Sequence, residues 1–254
     1  MQTQRFADKV VFVTGAGSGI GRATAGLFAD EGAKVYAVDV DRDGLATTLA
    51  GIREKGGRAD GRPCDVADMA SVQASVAAAV AAFGGLDVLC NIAGIGGFKR
   101  FEELTEEDWN RTFAVNVTGM FHTVRAALPH LLADPVGCVV NVGSTSSLRG
   151  TAYASQYAAS KAAVLNFTRS LALEFATRDL RFNCVCPGGV KTPLGRHFLR
   201  RDDFEAHLID YQAPPKFGHF ADPIDIARII AFLASDEARM ISGAALTADG
   251  GTLA

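Results

Sequence analysis

The chain is short of charge of either sign in excess. Asp and Glu number 28 against 25 Lys and Arg, a formal net charge of −3, and the pI is near 6.0. The basic residues are scattered apart from Arg200-Arg201, which excludes the electrostatic footprint of a nucleic-acid or anionic-membrane binder. No stretch approaches the roughly 18 apolar residues of a membrane helix. The polar start Met1–Lys9 leads only to the brief run Val10–Val13, too short for the core of a secretion signal. The five cysteines, Cys64, Cys90, Cys138, Cys184 and Cys186, contain no CxxC pair and no His neighbour at ligand spacing, which excludes a disulfide framework or a zinc site. Cys184-x-Cys186 places two thiols on one face of a strand, where they read as small buried hydrophobes. His122, His130, His197, His207 and His219 show no HxH or HxxxH spacing, so no metal is expected. A soluble protein in the reducing cytoplasm is the expectation, with no nucleic-acid or membrane partner.

What is present is a globular composition, 48% apolar and 21% charged, able to bury a full core. β-Branched apolar runs alternate with longer amphipathic or Ala-rich segments. Strands are predicted at Lys9–Thr14, Lys34–Asp39, Arg58–Cys64, Val88–Asn91, Cys138–Val142, Arg181–Cys186 and Ala245–Ala248. Helices are predicted at Ile20–Glu31, Gly44–Lys55, Met69–Phe83, Trp109–Leu132, Tyr153–Thr177 and Ile224–Ser235. Continuously apolar strands such as Val10–Val13 point to burial on both faces, hence an α/β, doubly wound, seven-stranded parallel sheet between helices. No linker or repeat interrupts the chain, so one domain over residues 1–254 is expected. The segment 190–221, with Pro193, Pro214 and Pro215 and no clean period, reads as a substrate loop.

After the first strand comes Thr14-Gly15-Ala16-Gly17-Ser18-Gly19-Ile20-Gly21. Glycines let a backbone approach a ligand closely. The helix that follows offers free N–H groups and the positive end of its dipole to a pyrophosphate. Ile20 stands where a strict GxGxxG has its third glycine. Asp39 ends the second strand about twenty residues beyond the turn, where an acid hydrogen-bonds the adenosine ribose and repels a 2′-phosphate. Neither Ala16 nor Val40 supplies a cation, and Arg42 lies two residues beyond Val40; NAD is expected rather than NADP.

Tyr157 and Lys161 are four apart on a predicted helix and so share a face. A cation beside a phenol lowers its pKa from about 10 toward working pH, fitting Tyr157 to exchange a proton with an alcohol. Ser144 follows the strand Cys138–Val142 at the carboxyl edge, where open α/β sheets bind ligands, and its hydroxyl can donate to a developing oxyanion. Arg149 reads as a solvated loop residue, with a substrate anion as the alternative. Thr105-Glu106-Glu107-Asp108 reads as a helix cap before Trp109, itself read as core or interface packing.

These residues resemble the short-chain dehydrogenase/reductase family over nearly the whole chain. Thr14, Gly15, Gly19 and Gly21 match its TGxxxGxG turn, which resemblance also brings Ser18 and Ile20 to the cofactor. Asn91-Ile92-Ala93-Gly94 is similar to its NNAG element, with Ile92 for the second Asn, and implies cofactor contacts from Asn91, Ala93 and Gly94. Asp65-Val66 resembles its adenine-contacting pair. Ser144 precedes Tyr157 by thirteen residues, and Asn116 falls where the family has an Asn that holds a water-linked proton relay. Pro187-Gly188-Gly189-Val190-Lys191-Thr192 resembles its PG motif, implying cofactor contacts from Pro187, Gly188, Val190 and Thr192, and Asp249-Gly250-Gly251 its closing strand. The resemblance implies a catalytic set of Asn116, Ser144, Tyr157 and Lys161, with Tyr157 as general acid/base and Lys161, like Tyr157, also contacting the nicotinamide ribose. It further implies a tetramer built on the Trp109–Leu132 and Tyr153–Thr177 helices.

The expected function is an NAD-dependent oxidoreductase interconverting a small-molecule secondary alcohol and a ketone. Two alternatives stay open: an NADPH-dependent 3-oxoacyl thioester reductase, and a non-catalytic NAD-binding regulator. Residues 94–98, 146–153 and 190–221 are expected to line the pocket. Phe198, Leu199, Leu208, Ile209 and Tyr211 stand there beside Arg196, Arg200, Arg201, Asp202 and Asp203, a mixture that allows a bulky apolar ligand without requiring one.

Overall fold

The computed structural model describes residues 4–133, 137–199, 201–210 and 219–254; Arg200, Tyr211, Pro214 and Pro215 lie outside them. Seven strands form one parallel sheet: β1 (Val10–Thr14), β2 (Lys34–Asp39), β3 (Arg58–Pro63), β4 (Val88–Asn91), β5 (Cys138–Val142), β6 (Arg181–Pro187) and β7 (Ala245–Ala248). Their order is β3-β2-β1-β4-β5-β6-β7. The direction of winding therefore reverses between β1 and β4, and a crevice opens at the carboxyl ends of those two strands.

The helices are α1 (Gly19–Asp30), α2 (Arg42–Glu54), α3 (Met69–Phe83), α4 (Glu106–Phe113), α5 (Gly119–Leu131), α6 (Ser155–Glu174), the short α7 (Ala206–Asp210) and α8 (Pro223–Ala234). Side chains alternate faces along a strand. Val11 and Val13 of β1 accordingly pack with Phe28, Ile226 and Ile230 on one side, while Phe12 packs with Tyr36, Val76 and Phe182 on the other. Burial on both faces explains the continuous apolar run. The edge strand β3 is different: Arg58 and Asp60 are exposed, and such charges protect an open edge from adventitious pairing.

The predicted Trp109–Leu132 helix needs correction. It starts three residues earlier, where Thr105 caps α4 and Asp108 reciprocates in a capping box. It is then broken by a π turn at Ala114–Thr118, which carries Asn116. The extra residue of a π turn shifts the face that follows it and is common at functional sites. The 190–221 segment holds a 3-10 turn at Leu194–Phe198 as well as α7.

Beneath the crevice lies a fully buried polar chain. Asn91 Nδ2 donates to Asn141 Oδ1 at 3.0 Å, Asn141 Nδ2 to Thr168 Oγ1 at 2.9 Å, and Thr123 Oγ1 to Asn91 Oδ1 at 2.7 Å. These bonds tie β4, β5, α5 and α6 together directly under the site. Truncation at its centre leaves both Asn91 and Thr168 short of a partner. Asn141→Ala is therefore expected to cost about 2–3 kcal/mol, read as a lower denaturant midpoint at unchanged slope; a loss below about 0.5 kcal/mol contradicts this role.

Candidate active site

The glycine turn is shaped by contacts that side chains would block. Gly15 and Gly19 have φ of +68° and +48°. A Cβ on Gly21 would lie 1.9 Å from Gly15 O, and one on Gly15 would lie 2.9 Å from the backbone of Ala93. Thr14 Oγ1 closes the second approach by accepting from Ile92 N at 2.9 Å and Ala93 N at 3.1 Å. Gly17 N donates to Asp39 Oδ2 at 2.7 Å, and Asp41 N to Asp39 Oδ1 at 2.9 Å. The carboxylate is thus fixed beside the turn with lone pairs to spare. Arg22 braces the same loop, donating to Gly17 O and, through Nε, to Thr48 Oγ1 at 3.0 Å. Sequence reading missed Arg22, because its partners on α2 are remote in the chain.

A cleft runs from this turn along the carboxyl edge. Gly15, Ser18, Gly19, Ile20, Gly21, Asp39, Asp65, Val66, Ala93, Gly94 and Thr192 line it, as expected from sequence. Val38, Val40, Ile95, Arg111 and Leu194 line it too; they carry no motif, and only the fold brings them there. Six expected cofactor contacts are not among the lining residues: Tyr157 and Lys161, described below, and four that stand back from the cleft. Asn91 spends its amide in the buried chain below. Pro187 ends β6, Gly188 N is bonded to Ala248 O at 3.1 Å, and Val190 packs against the core.

At the end of β5, Ser144 caps the turn Thr145–Ser147, its Oγ accepting from Ser146 N at 3.1 Å, and its side chain works to lower the pKa of Tyr157. One helical turn on, Lys161 is 3% exposed and donates from Nζ to Val142 O at 2.8 Å. Asn116 Oδ1 accepts from Ile95 N at 2.8 Å, and its Nδ2 donates to Ile95 O and Ser160 Oγ, both at 2.9 Å. Asn116 and Lys161 meet across Gly94, where an added Cβ would lie 3.2 Å from Asn116 Oδ1 and 3.3 Å from Lys161 Nζ. The structure therefore gathers the four expected catalytic residues. Cys184 and Cys186 sit below them, fully buried with sulfurs 3.8 Å apart, as the strand pattern implies.

The residues fit a dinucleotide. The glycine cradle admits backbone-close phosphates, the Ser18 hydroxyl makes no bond to the first turn of α1, and Asp39 stands ready for ribose hydroxyls. An ammonium has three donors; among the described residues Lys161 gives one to the protein, leaving two for the cleft beside Gly94. Among the described residues no cluster of His, Cys, Asp and Glu is able to hold a metal, and no helix is long and apolar enough to cross a membrane.

The expected lowering of the Tyr157 pKa by Lys161 is not found in the protein alone. Burial pushes the phenol above its ordinary value, against the opposing influence of the Ser144 side chain. Burial likewise lowers Lys161 to about 8, so its charge is itself poorly tolerated. Because unfolded Lys161 keeps its ordinary value of 10.5, the unfolded chain binds more protons between pH 8 and 10.5, and stability rises with pH across that window. The phenol opposes this only above about pH 10, where an unfolded tyrosine ionises. Relative to Lys161→Met, which carries the same buried thiols Cys90 and Cys138 that oppose the rise above about pH 9, unliganded protein is expected to gain melting temperature from pH 7 to 9.5. Lys161→Met should be more stable than the parent at pH 7 and lose this rise; a Lys161→Met variant less stable at pH 7 contradicts the burial argument.

A family model described as enoyl-(acyl carrier protein) reductase matches residues 15–252. The chain is 42% identical over 247 residues to 2,5-dichloro-2,5-cyclohexadiene-1,4-diol dehydrogenase LinX of Sphingobium indicum, covering 97% of each. It is 35% identical to the 3-oxoacyl-[acyl-carrier-protein] reductase FabG of Thermotoga maritima, covering 97% of this chain and 98% of that one. The crystal structure of levodione reductase superposes with a TM-score of 0.91 at 34% identity, over 98% of this chain and 99% of that one. With the glycine turn, the Asp39 strand end and the Ser144, Tyr157 and Lys161 group in place, the chain belongs to the short-chain dehydrogenase/reductase family, as an NAD(P)-dependent oxidoreductase of secondary alcohols and ketones.

Proposed function

We propose that the protein is an NAD-linked dehydrogenase in which Tyr157 is the general acid/base. The observation that carries this reading is the buried Tyr157 phenol, one helical turn from an equally buried ammonium with unspent donors and under the pKa-lowering influence of the Ser144 side chain. When bound, the nicotinamide accepts or donates the hydride. The chain's residues do the rest. Ser144 orients the substrate oxygen and donates to it as charge develops. Tyr157 takes the alcohol proton, or returns one to the ketone oxygen. Lys161 holds the nicotinamide ribose with its two free donors and supplies positive charge near the phenol. Asn116 fixes Ile95 and Ser160, and so shapes the wall past which a water relay would carry the proton away.

Asp39 supports NAD over NADP. Its carboxylate is held by two backbone N–H groups at the ribose end of the cleft, where a 2′-phosphate would meet like charge. A 3-oxoacyl thioester reductase is the second reading, favoured by the likeness to the Thermotoga maritima relative. The intact set Asn116, Ser144, Tyr157 and Lys161 weighs against a non-catalytic regulator. We further read the chain as one domain whose 190–221 segment covers the substrate. It would work in the cytoplasm as a tetramer, with Phe121 of α5 and Leu173 of α6, both exposed, at the paired helices.

Tyr157→Phe is expected to lower kcat about a thousandfold while NADH affinity, read by fluorescence titration, holds. The wild-type kcat/KM for NAD should exceed that for NADP by about tenfold or more, roughly 1.4 kcal/mol. Full turnover by Tyr157→Phe, or a preference for NADP, contradicts the reading.

A further inference from the structure

One side of Tyr157 is walled by aromatic rings. Phe198, in the 3-10 turn after β6, sets its ring 5.0 Å from the Tyr157 ring at 66°, edge to face. Phe98 meets Phe198 at 5.2 Å and Phe204 at 6.1 Å, again edge to face. Tyr153 lies flat on Phe204, 4.1 Å apart and 4° from parallel. The backbone also closes in on Tyr157, since a Cβ on Gly96 would come within 2.3 Å of its ring. Five rings drawn from three separate segments thus run in one unbroken series from the reacting phenol outward. The sequence does not show this, because Phe98, Tyr153, Phe198 and Phe204 share no spacing.

Two of the basic residues at this wall, Arg100 and Arg201, are already paired. Arg201 makes a two-pronged pair with Glu103 at 2.7 and 3.0 Å and bonds Asp203 at 2.8 and 3.0 Å. Arg100 faces Asp203 at 3.3 Å and Glu205 at 3.5 Å. Both guanidiniums also lie over the Phe204 ring, at 5.0 and 5.8 Å. With Glu102 3.8 Å from Arg100 as well, these two cations meet four carboxylates and have no charge left for an anionic substrate. Tyr153 is held in place at a cost. Its φ of +61° is unusual for a bulky residue, and such outliers persist where the surroundings over-determine them. Here Lys99 N donates to Tyr153 O at 2.6 Å and Glu205 N to Tyr153 Oη at 3.1 Å.

From this wall, and resting on the dehydrogenase reading above, we infer that the site selects neutral carbocyclic secondary alcohols and their ketones over acyclic or anionic ones. The Phe198 ring shows that a compact ring fits against Tyr157. A carbocycle along the same wall would bury its apolar surface against these rings. A flexible chain would lose more rotamer freedom on entering the same slot. A hydroxy acid, or the phosphorylated carrier of an acyl thioester, would bring negative charge to a wall with no free cation at Arg100 or Arg201.

The test compares cyclohexanol, hexan-2-ol and 3-hydroxybutanoate with NAD, read as NADH absorbance, and cyclohexanone against hexan-2-one as stabilisers of the NADH complex in thermal melts. Cyclohexanol should show a kcat/KM about tenfold or more above hexan-2-ol, with 3-hydroxybutanoate slower still, and cyclohexanone should give the larger melting shift. Phe198→Ala should reduce the ring preference several-fold with NADH affinity unchanged. Phe198→Leu, which keeps apolar bulk without a ring, should fall between the two. Equal or better use of the open-chain alcohol or the anion, or a ring preference untouched in Phe198→Ala, overturns the proposal. Turnover of none of these alcohols, with cyclohexanone still the better stabiliser, counts against the dehydrogenase reading while supporting the ring site; no turnover and no ring preference in the melts sinks both.

Discussion

Everything at this site depends on keeping an ammonium and a phenol out of water together. Lys161 and Tyr157 occupy the first half of α6 with 3% and 8% of their surfaces exposed, and burial opposes the charged form of each. In the protein alone that opposition wins: the ammonium is lowered to about 8 and the phenol is raised. The fold accepts this cost because the surrounding lattice is rigid. The Asn91, Asn141 and Thr168 chain locks β4, β5 and α6 beneath the pair, and Asn116 fastens the far wall through Ile95. The consequence for function is that acid–base competence is not a property of Tyr157 and Lys161 by themselves. On the proposed mechanism it is completed by binding, when the free donors of Lys161 meet the ribose and positive charge arrives beside the phenol.

The cofactor end follows the same logic with backbone instead of side chains. Close approach requires Gly15 against Ala93 and Gly21 against Gly15 O, and no other residue fits those gaps. The turn would be floppy on its own, since glycine orders at a large entropic cost. Thr14, Asp39 and Arg22 hold it from three directions. Asp39 therefore has two tasks, bracing Gly17 and setting the charge at the proposed ribose site. Substituting it to change cofactor preference would loosen the turn as well.

Legibility in the sequence varied with how local the cause was. Lys34–Asp39, Val88–Asn91 and Cys138–Val142 were readable to the residue, because an apolar run bounded by polar residues contains its own limits. The family motifs named Ser144, Tyr157, Lys161 and Asn116 together, although only Ser144 follows a strand end, while Tyr157 and Lys161 stand on α6 and Asn116 in a π turn. The π turn at Ala114–Thr118 left no trace, as it changes hydrogen bonding without changing periodicity. The raised phenol was missed because spacing shows that Lys161 is near but not how dry the site is. The ring wall, the Arg22 brace and the Asn141 chain are all contacts between remote segments, invisible until the sheet order sets them side by side.

The most direct test is the ionisation of Tyr157 itself, followed by NMR in protein labelled at the tyrosine ring carbon, with Tyr157→Phe used for assignment. The account predicts a titration above pH 10 in the unliganded protein and a marked fall on saturation with NAD. A Tyr157 that already titrates below pH 10 without cofactor, or whose titration NAD leaves unmoved, would contradict it.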